Sequence, residues 1–144
     1  MDNIIFEKIY EEIENDFIEL KITGISEYVQ AYQTCYVGNE SLALCGKRIS
    51  KYSHNFSKEC YVEIGSKEGN FTPAFSMKFY PANSSGHVKI ELDIEIYDNK
   101  ERKNRCCFYI ESELGMVENL GKHLQDIAEA KRTNCSLHPI EDVK

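Results

Sequence analysis

From Val88 to Ile96 every second residue is apolar. Val88, Ile90, Leu92, Ile94 and Ile96 fall on one side, and Lys89, Glu91, Asp93, Glu95 and Tyr97 on the other. A period of two marks a β-strand with one dry face and one wet face. Such a strand needs hydrogen-bonded neighbours at both edges and an apolar layer over its dry side. The chain is therefore built on a sheet, and the remaining segments must supply the partners and the cover.

Flanking patterns fill these roles. Phe17 to Ile22 alternates Ile18, Leu20 and Ile22, and Tyr28 to Val37 is rich in β-formers. Cys60 to Ile64, Ala74 to Tyr80 and Arg105 to Glu111 alternate in the same way. Pro81 to Gly86 reads as a turn, as do Ser66 to Asn70 and the polar stretch Asp98 to Asn104. The strands on either side of that polar stretch are expected to pair antiparallel.

Three stretches carry helical spacing. Ile5, Phe6, Ile9, Tyr10 and Ile13 suggest a first helix, capped by Asp2 or Asn3. Leu42, Cys45, Ile49 and Tyr52 suggest a second, with Lys47, Arg48 and Lys51 facing away. Leu114, Val117, Leu120, Gly121, Leu124, Ile127 and Ala128 define the third, with Ser112 as its cap and Gly121 placed for close approach to the sheet. A strand followed by a helix occurs at 28–52 and again at 105–130, a faint internal echo.

The expected architecture is a two-layer α+β domain: one antiparallel sheet of about six strands, with the helices packed on one face. Residues 1–132 form this single domain, and 133–144, which lack periodicity, form a loosely ordered tail.

The chain has 144 residues and a formal charge of −7. That balance disfavours sequence-independent binding to nucleic acid or an anionic membrane and suits a cationic partner. The acid is concentrated early: Asp2, Glu7, Glu11, Glu12, Glu14, Asp16 and Glu19 precede residue 21, against Lys8 alone. An acidic N-terminus and the lack of a long apolar run suggest a cytoplasmic protein. The six cysteines then read as free thiols that mostly fill the core.

The order of features resembles the WapI-type immunity proteins, small acidic bacterial domains. The resemblance covers roughly residues 28 to 130 and is carried by Tyr61-Val62-Glu63-Ile64, Phe75-Ser76-Met77-Lys78-Phe79, Gly86-His87-Val88-Lys89-Ile90-Glu91-Leu92 and Cys107-Phe108-Tyr109-Ile110-Glu111-Ser112. It implies cytoplasmic neutralisation of a toxin by direct binding. It brings no catalytic residue with it.

The residues themselves suggest an acidic surface, either a partner-binding stripe of Glu91, Asp93 and Glu95 with Tyr97 or the N-terminal acids, which would dock onto a basic protein such as a toxin and steer its approach. Tyr32 or Tyr109 would add aromatic anchoring. The plain alternative is a solvated outer face that keeps the protein soluble. Cys106 and Cys107 point to opposite faces of a strand, and no CxxC or zinc spacing occurs. His87 at the mouth of the central strand is read as a local strand-end residue before a general base. Lys47, Arg48, Lys51 and Lys58, with Tyr52 and Phe56 between them, read as a solvated face before an anion site. No catalytic, cofactor or metal residues are assigned. Two other classes compete: a small-ligand protein or enzyme with a pocket between sheet and helices, and a self-associating structural module.

Overall fold

The computed structural model describes residues 2–12, 14–65, 74–97 and 103–140, with the side chains of Ile96, Tyr97 and Lys103 outside that set. The expected turn at Ser66–Asn70 and residues 98–102 of the expected polar loop lie outside the described residues.

The element order is β1 (Asn3–Glu12), β2 (Phe17–Ile25), β3 (Gln30–Gly38), α1 (Asn39–His54), β4 (Cys60–Ile64), β5 (Ala74–Phe79), β6 (His87–Tyr97), β7 (Lys103–Glu113), α2 (Leu114–Ala128) and β8 (Asn134–Ser136). The fold is α+β with antiparallel pairing throughout, but the strands form two sheets of four. The orders are β3-β2-β1-β8 and β4-β5-β6-β7. This corrects the expectation of one six-stranded sheet with helices on one face. The inner faces of the two sheets bury a common core with the helices. Phe6 of β1 meets Phe75 of β5 edge to face, ring centroids 6.1 Å apart.

Two segments account for the difference. The first is 3–12, a strand and not a helix. Ile4 and Phe6 point into the core, while a bulge between Lys8 and Tyr10 shifts the register against β2. The bulge breaks the period of two and leaves Ile9 and Tyr10 both exposed, which imitates helical spacing in the sequence. Pairing with β2, and a composition rich in Ile, Phe and Tyr, favour the strand. The second segment is the expected tail. Asn134–Ser136 pairs with β1, and Cys135 and Leu137 are buried in the core.

The internal echo extends through the whole topology. Each half is a three-strand meander, a helix and a short strand. The short strand crosses to the other half's sheet: β4 lies beside β5, and β8 beside β1. The buried positions of α1 (Leu42, Cys45, Gly46, Ile49, Tyr52, Ser53) recur 75 residues later as Val117, Leu120, Gly121, Leu124, Ile127 and Ala128. Cys60 in β4 and Cys135 in β8 keep the same spacing.

The helices cross at Gly46 and Gly121. A Cβ on Gly46 would lie 2.5 Å from the Gly121 carbonyl oxygen, and one on Gly121 would lie 2.7 Å from the Gly46 carbonyl oxygen. The close approach expected of Gly121 is thus to α1, not to the sheet. A third glycine has a backbone role: Gly86 has φ +80° and opens β6. There Asn83 Oδ1 accepts from the backbone N–H groups of Ser85 and His87. Ser112 is not a helix cap. It belongs to β7, and its Oγ lies 2.9 Å from His138 Nε2.

Candidate functional site

The buried sides of the helices and the inner sheet faces are consumed by the core, and the outer faces of the two sheets are broad surfaces left to a partner. The expected stripe lies on the outer face of the second sheet. Glu91 stands between Lys78 of β5 and Tyr109 of β7 in register. Asp93 is only 8% exposed. Arg105 from β7 clamps it with two hydrogen bonds, Nε to Oδ1 at 3.0 Å and Nη2 to Oδ2 at 2.6 Å. Glu95 is paired in register with the same Arg105. The side chain of Tyr97 lies outside the described residues.

The stripe is therefore interleaved with cations and aromatics. Lys89 Nζ sits 4.5 Å from the Tyr80 ring centroid and 5.0 Å from that of Tyr109. Glu91 beside Tyr109 pushes that phenol's pKa up, with Tyr80 adding to the effect. With Lys78, Lys89 and Arg105 set among Glu63, Glu91, Asp93, Glu95 and Glu111, the acid of this face is partly offset, which weakens its steering of a cationic partner.

The outer face of the first sheet differs. Cross-strand register places Tyr10, Glu19 and Tyr36 in one row. The next row toward the hairpin end holds Glu12 and Phe17, and the row on the other side holds Glu7, Lys21 and Thr34. Phe17 bridges the two tyrosines diagonally, with centroids 6.0 Å from Tyr10 and 5.1 Å from Tyr36. Tyr10 and Tyr36 remain 51% and 50% exposed. Further along, Lys21 Nζ covers the Tyr32 ring at 4.7 Å from its centroid, and Tyr32 is 57% exposed.

Local sequence explains this ladder. β1 and β2 form a hairpin whose connection includes Asp16 in the left-handed region, φ 52°, a conformation Asp tolerates better than most residues. The hairpin brings Glu12, Glu14, Asp16 and Glu19 to one end of the sheet. Glu7, Glu12 and Glu19 share the aromatic face, with exposed Glu14 and Asp16 at the turn. Lys21 is the basic residue placed among them by register. Lys8 turns away and is held by Glu11 at 3.1 Å with little exposure.

Tyr32 and Tyr109, expected as possible anchors of one surface, sit on the outer faces of different sheets. Tyr10 and Phe17 were hidden because β1 reads as a helix in sequence. The early cluster of acids was the sequence signal that pointed toward this face.

Other expected groups are dispersed. His87 is exposed, with Nε2 3.9 Å from Glu113 Oε1. It lines an open hollow of about 510 Å³ together with Tyr80, Lys89, Glu111 and Ser112. His138 Nδ1 lies 2.6 Å from the Asp2 carbonyl oxygen, which it donates to, so Nε2 accepts from the Ser112 hydroxyl. Ser112 is buried, and this contact ties the end of β8 to β7. Among the described residues no three metal-ligating side chains converge. Cys35, Cys45, Cys60 and Cys135 are buried, and burial pushes the Cys35 and Cys135 thiols up to about 12. No helix among the described residues is long and apolar enough to cross a membrane.

No family model matches the chain, and no curated protein matches it. A solved structure of the plant transcriptional regulator PBF-2 is similar over 89% of this chain and 76% of that one, with 11% sequence identity and a TM-score of 0.46. That likeness is too distant to bear on function.

Proposed function

We propose that this chain is a protein-binding domain that captures a basic protein partner on the outer face of its first sheet. The supporting observation is the Tyr10–Phe17–Tyr36 ladder, two of its rings half exposed, set among Glu7, Glu12, Glu14, Asp16 and Glu19. Rigid aromatic side chains supply contact area at low entropic cost, and the surrounding carboxylates supply long-range attraction. Neutralisation of a basic toxin by occlusion is the form of this activity that the sequence resemblance suggests. Of the two acidic surfaces expected from the sequence, the stripe at Glu91–Glu95 and the N-terminal acids, this reading favours the second.

The test is affinity capture from the source organism at low and at physiological salt. Wild type is compared with Y10A/Y36A and with a charge reversal of Glu91 and Glu95. A basic protein retained by wild type and by the Glu91/Glu95 variant, but lost from Y10A/Y36A and weakened by salt, supports the proposal. Retention that depends on Glu91 and Glu95 and ignores Tyr10 and Tyr36 rejects it.

A further inference from the structure

We infer that the hollow at the C-terminal end of α1 binds a small phosphate-bearing anion, held by Arg48, Lys51 and Lys58. The hollow is about 340 Å³, toward the lower end of small-molecule sites, and its floor includes Tyr52, Asn55 and Cys60. It is separate from the proposed protein-binding face and does not depend on it.

The sequence concentrates cations here. Residues 47–58 contain Lys47, Arg48, Lys51 and Lys58 and no acid, in a chain of formal charge −7. Helical spacing puts Arg48 and Lys51 on adjacent turns of one face. The loop after α1 then folds back, pinned where Ala82 N–H donates to the Phe56 carbonyl oxygen at 3.0 Å. That fold brings Lys58 to the same hollow as Arg48 and Lys51.

Glu59, the acid that lines the hollow, is engaged elsewhere: its Oε2 holds Lys78 Nζ at 3.3 Å. Among the described residues Arg48, Lys51 and Lys58 have no carboxylate partner. The floor does not supply a competing anion. The Tyr52 hydroxyl donates to the Tyr80 carbonyl oxygen. Burial pushes the Tyr52 phenol up to about 12 and raises the Cys60 thiol as well, so both stay protonated at neutral pH. Asn55 accepts at Oδ1 from Ser57, at 3.5 Å, which leaves its amide N–H groups as donors. The end of α1 opposes an anion with about half a negative charge. Three full positive charges outweigh it.

The probe is inorganic pyrophosphate, titrated into the full chain against sodium chloride of equal ionic strength. Thermal unfolding and amide NMR shifts are read together. Wild type should show a saturable rise in Tm, with shifts centred on Lys51, Asn55, Lys58 and Cys60. K51Q/K58Q should bind about tenfold more weakly or worse, as expected for two lost charge-assisted hydrogen bonds. R48Q is the second variant should that pair misfold. Y10A/Y36A should bind pyrophosphate like wild type, which separates this site from the protein-binding face. No saturable rise in wild type, an equal rise in the lysine variant, or shifts centred elsewhere would overturn the inference.

Discussion

Replacing Gly46 by Ala should destabilise the protein, against the usual trend for a glycine inside a helix. In an open helix the change gains about 1 kcal/mol from intrinsic propensity. Here the new methyl would lie 2.5 Å from the Gly121 carbonyl oxygen, well inside the 3.4 Å where ordinary contact begins, and 3.1 Å from the Gln125 backbone nitrogen. Both are backbone atoms, so relief requires α1 and α2 to separate. Overpacking of this kind costs about 1–3 kcal/mol and here should exceed the propensity gain, for a net loss of up to about 2 kcal/mol. Gly121→Ala meets the Gly46 carbonyl oxygen and the Ser50 backbone nitrogen at 2.7 and 2.8 Å and should behave alike. Gly115→Ala is the internal control, because nothing lies within 4 Å of its Cβ position. Urea unfolding of the three variants should rank G115A at or above wild type, and both crossing variants below it. Crossing variants as stable as G115A would refute the close helix approach.

Four further outcomes follow from the same structure. Gln33 is 2% exposed and neither amide atom has a partner among the described residues, so Gln33→Met should raise stability by about 1–2 kcal/mol in urea unfolding. Arg105→Ala should lower the urea midpoint more than Arg105→Lys, because Lys keeps a positive charge for Asp93, and both should fall below wild type, because only the guanidinium holds Asp93 by two bonds. Burial, then the charge of Arg132, lowers the His123 pKa, with Asp126 opposing. A depressed histidine pKa means the unfolded chain takes up the proton first. Stability is therefore full above the unfolded value of about 6.5 and declines as pH falls through it, and His123→Gln should flatten unfolding curves between about pH 7 and 5. Brief iodoacetamide labelling followed by mass spectrometry should modify exposed Cys107 well before buried Cys35 and Cys135, whose thiols titrate at about 12.

The strands from β2 to β7 and both helices were legible because most of them have one buried face and keep their period, although β5 is buried on both faces. Cys60–Ile64 alternates buried and exposed without a break. β1 was not legible, because its bulge near Ile9 slips the phase and two-residue periodicity dissolves. β8 was too short to show a period, and its place depends on pairing with a strand more than a hundred residues earlier. With both ends misread, one sheet was the natural expectation and the second was lost. The duplication was hidden for another reason: a core position accepts Leu, Cys, Val or Ile alike, so the 75-residue spacing preserves burial more than identity. The acidic stripe was legible as a pattern. Its interleaving with Lys78 and Arg105 was not, because those partners come from neighbouring strands. The Tyr10–Phe17–Tyr36 ladder likewise needs three strands in register before it exists.

The most direct test of the proposed surface is site-specific photocrosslinking in living cells of the source organism. A benzophenone amino acid would replace Tyr36 in one variant and Tyr109 in another, one on each sheet's outer face, and adducts would be identified by mass spectrometry. Binding on the first sheet predicts a discrete adduct with a basic protein from position 36 and none from position 109. An adduct from position 109 alone, or none from position 36 when a captured partner is present, would contradict it.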